Sequence, residues 1–459
     1  MSFDSPLFLI LFVVVFAWLR KFPTHGGMLL LAASIIFYSF AGVMDMTLVI
    51  AMVCINYLLS FYVLKGRRWL ILTILTNLAV LAFFKYRHFL LPEASSNQVR
   101  DFFNADILIP IGVSFYIFQA IAYQVDLYKG KTQHIRSFWH FSLFILLFPH
   151  MMAGPIVRAN ILEPQVAKAY EGKIKGRRFW IVGLGLCLLG LVKKVGLADS
   201  LSPFVDAVFY QGPSDTYTAW LGALLFSFQI YFDFSGYSDI AVGIAYLMGF
   251  KLPMNFRQPY LALNPKDFWQ RWHITLSTWI RDYLYIPLGG DRVGGVFRHF
   301  MVMLVTMGLA GLWHGANWTF VIWGVIWGIY VWGWRLVAPI LDQEKVLSWM
   351  IHITVVILLW VMFRAENVDR AISFYKGMLG MAEGAYSLKG SSMEMFYTLI
   401  GVVLLFFSQL AESKIANYGW VKKHRWLDRP LIWGTMVGLI FWIIILPKQI
   451  ANPFIYFRF

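Results

Sequence analysis

Between Leu7 and Trp18, Met28 and Gly42, Met46 and Leu64, and Trp69 and Phe84 the chain carries no charged residue. A water-soluble fold cannot absorb such runs in a chain of 459 residues that is 59% hydrophobic and 14% charged, because too little polar surface remains to cover it. Such runs read as parts of helices crossing a bilayer, for which about 20 predominantly apolar residues are typical. A transmembrane barrel is excluded by the same feature, since its strands alternate in short segments. The fold class is therefore all-α and polytopic. At ~20 residues per crossing the length supports about eleven transmembrane helices, with one or two further helices that do not cross.

The formal net charge of +15 does not point to nucleic acid, because the basic residues sit in short segments between apolar runs, as the positive-inside rule expects. Lys65-Gly66-Arg67-Arg68, the loop 158–178 with Arg158, Lys168, Lys173, Lys175, Arg177 and Arg178, and Lys422-Lys423-His424-Arg425 are assigned to the cytoplasm. Segment 203–217 has two aspartates and no Lys or Arg and reads as an outer loop, as does polar 91–105. Arg20 and Lys21 follow the first apolar run, which reads as a retained helix rather than a secretory signal. These assignments put the chain across a membrane with its aromatic tail, 453–459, outside. That tail is too short to cross and reads either as an interfacial anchor or as a cover folded over the outer side of the protein. Cys54 and Cys187 lie inside apolar runs and give neither a disulfide framework nor a metal spacing. No repeat or linker divides the chain, so 1–459 reads as one domain, with N-terminal helices 1–105, a core 106–365, and C-terminal helices and tail 366–459.

Several apolar segments are interrupted. Pro110 and Gly112 open the run that ends near Asp126, and Pro149 and Gly154 interrupt 137–158, which reads as re-entrant. Asp233 and Asp239 lie in the apolar stretch 218–250, where Gly236 suggests a break or kink. Carboxylates at membrane depth need partners, and Lys193, Lys194 or Arg257 are the candidates; Asp126, Asp233 and Asp239 are read as structural polar groups.

The densest polar chemistry lies between Asn255 and Trp318. Segment 264–283 is too polar to span, yet Phe268, Trp269, Trp272, Leu276 and Trp279 recur at helical spacing, so an amphipathic or inserted helix carrying His273 is expected. Asp267 and Arg271, at i and i+4, are expected to pair, and Arg281 with Asp282 forms a second polar cluster. His314, in Trp313-His314-Gly315, follows one long apolar run and precedes another. It reads as a packing residue or as a general base. Gly311 and Gly315 beside it permit close approach of a backbone or substrate, and a neutral imidazole is the form that accepts a proton. The chain has no G-x-S-x-G elbow, P-loop, dinucleotide fingerprint or H-E-x-x-H, so a covalent serine mechanism and a metal hydrolase are unsupported. A transporter or flippase for a lipid-linked glycan remains the alternative, because broken helices and buried aspartates are equally typical of transporters.

NFRQPYLALNPKDFWQRWHITLSTWIRDYLYIPLGG followed by GLWHGANWTF resembles the signature of the membrane-bound O-acyltransferases, most closely the bacterial alginate O-acetyltransferase (AlgI-like) branch. ILIPIGVSFYIFQAIAYQVDLYKG, MAGPIVR, YFDFSGYSDIAVGIAYLMGF and the tail FIYFRF are similar to that branch as well, so the likeness runs from about Ile107 onward. The resemblance implies a ring of helices around a central tunnel, with His314 and His273 as catalytic residues and Arg271, Arg281, Asp267, Trp313 and Ser277 along the substrate path. It further implies a bacterial inner (cytoplasmic) membrane location and acetyl transfer from a cytoplasmic thioester such as acetyl-CoA, with no permanently bound cofactor or metal. The acceptor would be a hydroxyl of an extracytoplasmic polysaccharide, reached directly or through a periplasmic acetyltransferase- or esterase-like partner protein. Teichoic-acid D-alanylating members share the DFWxRWHxSLSxWxRDY-like core, while RDYLYIPLGG fits the acetylating branch better.

Overall fold

The computed structural model describes residues 3, 5–90, 109–174, 180–292 and 294–387. The spans expected at 395–411 and 431–447, the segments 91–105 and 412–430 and the tail 453–459 lie outside them. The described chain is helical, with no strand beyond one bridge between Pro213 and Tyr386. In chain order it comprises α1 (Pro6–Lys21), α2 (Gly26–Ser39), α3 (Val43–Val63), α4 (Arg67–Leu81), α5 (Val113–Tyr128), α6 (Phe138–Leu146), α7 (Ala159–Tyr170), α8 (Trp180–Leu191), α9 (Asp199–Gln211), α10 (Thr216–Met248), α11 (Pro265–Trp269), α12 (Ile274–Ile280), α13 (Val296–His314), α14 (Trp318–Leu341), α15 (Lys345–Arg364) and α16 (Val368–Met378), with short 3₁₀, π and single-turn pieces between. Among the described residues six segments are long and apolar enough to cross a membrane, or seven if Pro6–Lys21 and Pro23–Ser39, bent by 119° at the break between them, form one broken span.

The chain packs as two compact units, Met1–Cys187 with Ile240–Pro253, and Leu188–Asp239 with Met254–Phe459. In the first, interrupted helices meet the demand that every buried backbone group be satisfied. Before α5, the Ile111 carbonyl accepts from Tyr38 Oη at 2.7 Å and the Ile111 amide donates to Asp45 Oδ2 at 3.1 Å. Where α6 stops at Leu147, the Phe148 amide donates to Ser34 Oγ (3.1 Å) and the Phe144 carbonyl accepts from Gln119 Nε2 (2.7 Å). Asn56 and Asn77 exchange amide hydrogen bonds between α3 and α4, and Gln124 of α5 donates to the Asn56 carbonyl. Buried side-chain amides of this kind hold helices together where lipid offers no hydrophobic drive. Asp126 is buried near the end of α5 in this unit.

Three local expectations change. The basic segment 158–178 is not a plain loop: α7 buries Leu162, Val166 and Ala169 on one face and leaves Lys168 exposed. The acidic segment 203–217 is mostly helix, because α9 continues the span from Trp180 through a π-helical segment, Val192–Ala198, to Gln211. Gly236 does not break its helix, since α10 runs unbroken for 33 residues, about 50 Å at 1.5 Å per residue. The glycine serves a close approach instead. A Cβ there would lie 2.8 Å from the Gly190 carbonyl oxygen and 2.9 Å from Lys193 Cβ.

In the second unit, α13 and α14 pack closely against each other. A Cβ on Gly311 would overlap the Phe320 carbonyl oxygen, and one on Gly324 the Met307 carbonyl oxygen, so backbone meets backbone. Overpacking ordinarily costs about 1–3 kcal/mol, and a carbonyl can yield only if its helix moves. Gly311→Val is therefore expected to lower the thermal midpoint in detergent well below that of Gly308→Val, whose new Cβ would sit 3.5 Å from a Val325 methyl. Equal midpoints for the two variants would mean that the crossing is not set at Gly311.

Candidate active site

His314 is the last residue of α13. Gly315 leaves the helix in extended backbone, and Asn317 restarts the chain by accepting from the Thr319 amide at 3.0 Å through Oδ1. The two-helix corner thus holds the imidazole at the carbonyl end of α13, where the helix dipole favours positive charge. The ring is 4% exposed and walled by aromatic rings: Trp313 at 5.0 Å, Phe363 at 5.1 Å and Trp323 at 5.2 Å between centroids. Trp269, from α11, reaches Trp323 at 6.1 Å.

The expected helix across 264–283 is two short helices with a break at Gln270–His273, and His273 has left-handed backbone, φ 42° and ψ 53°. The apolar spacing is helical on both sides of the break, which is why the pattern alone reads as continuous. Asn264 accepts from the Asp267 amide and starts α11, whereas the Ile274 amide donates to the Asn255 carbonyl at 2.8 Å, drawing the chain out of helix at His273. A non-glycine residue in this conformation persists only where its surroundings enforce it. His273 is fully buried, stands edge-on to Phe234 at 4.6 Å and lies 6.0 Å from Trp313. Trp313 therefore touches both histidines, bringing together the two ring systems that the sequence singled out. Burial pushes His273 down to about 3, so its ring is neutral at neutral pH.

The other site residues fall around this pair in different ways. Arg271 Nε donates to Asp267 Oδ1 at 2.7 Å, and Arg281 Nε to Asp282 Oδ1 at 2.8 Å; both pairs are partly exposed. Ser277 Oγ donates to the Trp272 carbonyl at 3.0 Å, tightening the turn after the break. Asp239 pairs with Lys193 at 2.8 Å and Asp233 with Lys194 at 2.7 Å, while Lys194 also reaches Asp199 at 2.6 Å. The π-helical segment places the consecutive lysines against α10, and the side chains of Lys193 and Asp239 are 1% and 3% exposed. Arg257 is not in these pairs. Among the described residues no group of three or more His, Cys, Asp or Glu could hold a metal ion.

Two features escaped the sequence reading. His352, on α15, is buried and its Nδ1 lies 3.0 Å from Tyr330 Oη, at the far end of the aromatic wall through Trp323 and Trp327. Asn255 supplies the contacts that hold His273. No period marks either residue; only the placement of Asn255 in the polar stretch before the first histidine offers a signal.

The model of MBOAT, the membrane-bound O-acyltransferase family, matches residues 32–371. A probable alginate O-acetylase AlgI of Azotobacter vinelandii is 34% identical over 100% of both chains. The protein of the same description from Pseudomonas aeruginosa is 39% identical over 82% of this chain and 75% of its own. A peptidoglycan O-acetyltransferase of Helicobacter pylori is 35% identical over 83% of this chain and 80% of its own. A matching signature around two buried histidines, a family match across most of the chain and relatives of this coverage lead to one conclusion: the chain belongs to the membrane-bound O-acyltransferase family, as a multi-pass membrane O-acyltransferase.

Proposed function

We propose that this protein moves an acetyl group from acetyl-CoA on the cytoplasmic side of the bacterial inner membrane to a hydroxyl of an extracytoplasmic polysaccharide. The observation that carries the reading is the setting of His314, a buried imidazole at a helix carbonyl end, walled by aromatics and joined to His273 through Trp313. In this reading His314 takes the proton of the acceptor hydroxyl as its oxygen attacks the thioester carbonyl. The new C–O bond forms, the C–S bond breaks, and the proton passes to the departing thiolate. The carbonyl end of α13 stabilises the positive charge the ring carries between those two steps. A thioester is already activated, so the main tasks are positioning and deprotonation of a weak nucleophile.

Arg271 and Arg281 are the groups offered to the donor phosphates, each already neutralised in part by its aspartate. Transfer to the glycan is direct or relayed by a periplasmic acetyltransferase- or esterase-like partner, and the tail 453–459 lies outside. The test is purified protein in detergent with acetyl-CoA labelled in the acetyl group and a panel of deacetylated alginate and peptidoglycan fragments. Label appearing on a glycan, or released from CoA only when His314 is intact, supports the reading. A protein that leaves acetyl-CoA untouched yet moves a lipid-linked glycan across vesicles is a transporter. Label from a D-alanyl donor in place of acetyl favours the activity named for the Bacillus subtilis teichoic acid D-alanyltransferase, which matches 47% of this chain at 29% identity.

A further inference from the structure

Asn255 Oδ1 lies 3.2 Å from the Thr275 backbone nitrogen, 2.8 Å from Thr275 Oγ1 and 3.2 Å from His273 Nδ1. A backbone amide can only donate, so the Asn255 atom facing it is the oxygen; the flipped amide would set donor against donor. The amide nitrogen on the other side donates to Ser238 Oγ at 3.4 Å, in keeping with that orientation. An oxygen that only accepts requires the hydrogen on His273 Nδ1. In a neutral imidazole the other ring nitrogen, Nε2, then carries the lone pair. The same residue holds the backbone, since its carbonyl accepts from the Ile274 amide at 2.8 Å just after the left-handed turn.

We infer that Asn255 is a positioning residue that fixes the tautomer of His273, making Nε2 an acceptor for a hydroxyl hydrogen of the glycan rather than a donor to the thioester carbonyl. The inference rests on the acetyl-transfer reading and deepens it. A hydrogen on Nε2 would suit the carbonyl oxygen of the donor; a lone pair suits the O–H of the acceptor. His314 takes the proton of the reacting hydroxyl, so the hydrogen held by His273 belongs to another hydroxyl of the same sugar. No bond is made or broken at His273. It orients the acceptor, and Asn255 orients it.

The experiment combines spectroscopy with a double-mutant cycle. In wild-type protein labelled with ring-¹⁵N histidine, the His273 signal, identified by its loss in His273→Gln, is expected to show a protonated Nδ1 and a bare Nε2. Asn255→Leu is expected to lower glycan acetylation at least about tenfold, because a histidine without its orienting partner loses tautomer and direction. Acetyl-CoA binding should change less than about threefold, as no donor contact is removed. Asn255→Asp, which keeps an oxygen acceptor, should retain most of the activity. In the His273→Gln background Asn255→Leu should cost less than about twofold more, since the two residues act as one unit. A hydrogen found on Nε2 in the wild type overturns the inference, and so does an Asn255→Leu penalty that persists undiminished in that background. Wild-type protein that transfers no acetyl group sinks the acetyl-transfer reading instead. The nitrogen spectrum decides the Asn255 assignment without turnover.

Discussion

His314→Ala is expected to reduce acetyl transfer to glycan by at least about a hundredfold, the lower end of what a placed base contributes, while the protein still inserts and elutes as a single species. The side chain is buried against Trp313, Trp323 and Phe363, so truncation also leaves a cavity. His314→Gln is the companion variant, because it fills most of the volume without supplying a base of similar strength. If both variants lose transfer and both remain monodisperse, proton transfer is the missing element. Either variant retaining more than a few per cent of wild-type acetylation would make His314 a packing residue and remove the base from the mechanism.

The second large effect is on stability. Asp239→Ala removes the carboxylate paired with the Lys193 ammonium, whose side chain is 1% exposed, and breaking such a pair from one side costs about 3–5 kcal/mol. Removing both charges is a different matter. The double variant Lys193→Met, Asp239→Leu trades the pair for apolar packing, which is often neutral or stabilising, and should recover the detergent melting temperature lost in Asp239→Ala. If the double variant melts as low as the single one, the buried Lys193 charge is not what destabilises Asp239→Ala. The neighbouring Lys194, bridging Asp233 and Asp199, is left intact throughout.

Much of this arrangement was legible in the residues. A carboxylate within apolar helix demands a cation, and Asp233 and Asp239 find theirs in Lys194 and Lys193. Asp267 and Arg271 pair at the i, i+4 spacing. Proline and glycine marked the interruptions before α5 and within 137–158, where Tyr38, Asp45, Ser34 and Gln119 supply the missing hydrogen bonds. The break at His273 was not legible, because apolar periodicity reports which face is buried and is blind to a change of backbone direction between two turns that share it. Gly236 was misread for a related reason: a glycine in a helix signals a kink or a close neighbour equally well, and only packing against Gly190 and Lys193 decides. Asn255 carries no local signal of its task, since its role rests on contacts with residues up to twenty positions away.

At Gly311 and Gly324 it is carbonyl groups, not side chains, that set the separation of α13 and α14. The location of the imidazole at the end of α13 is therefore inherited from the main chain. Phe363, which closes on that imidazole from α15, belongs to a different helix and contributes only a side chain. Exchanging it for a smaller residue would open space beside the imidazole while leaving the α13–α14 crossing as it is. On the proposed acetyl-transfer reading, room for the acyl group and placement of the base answer to different helices, so one can change without the other.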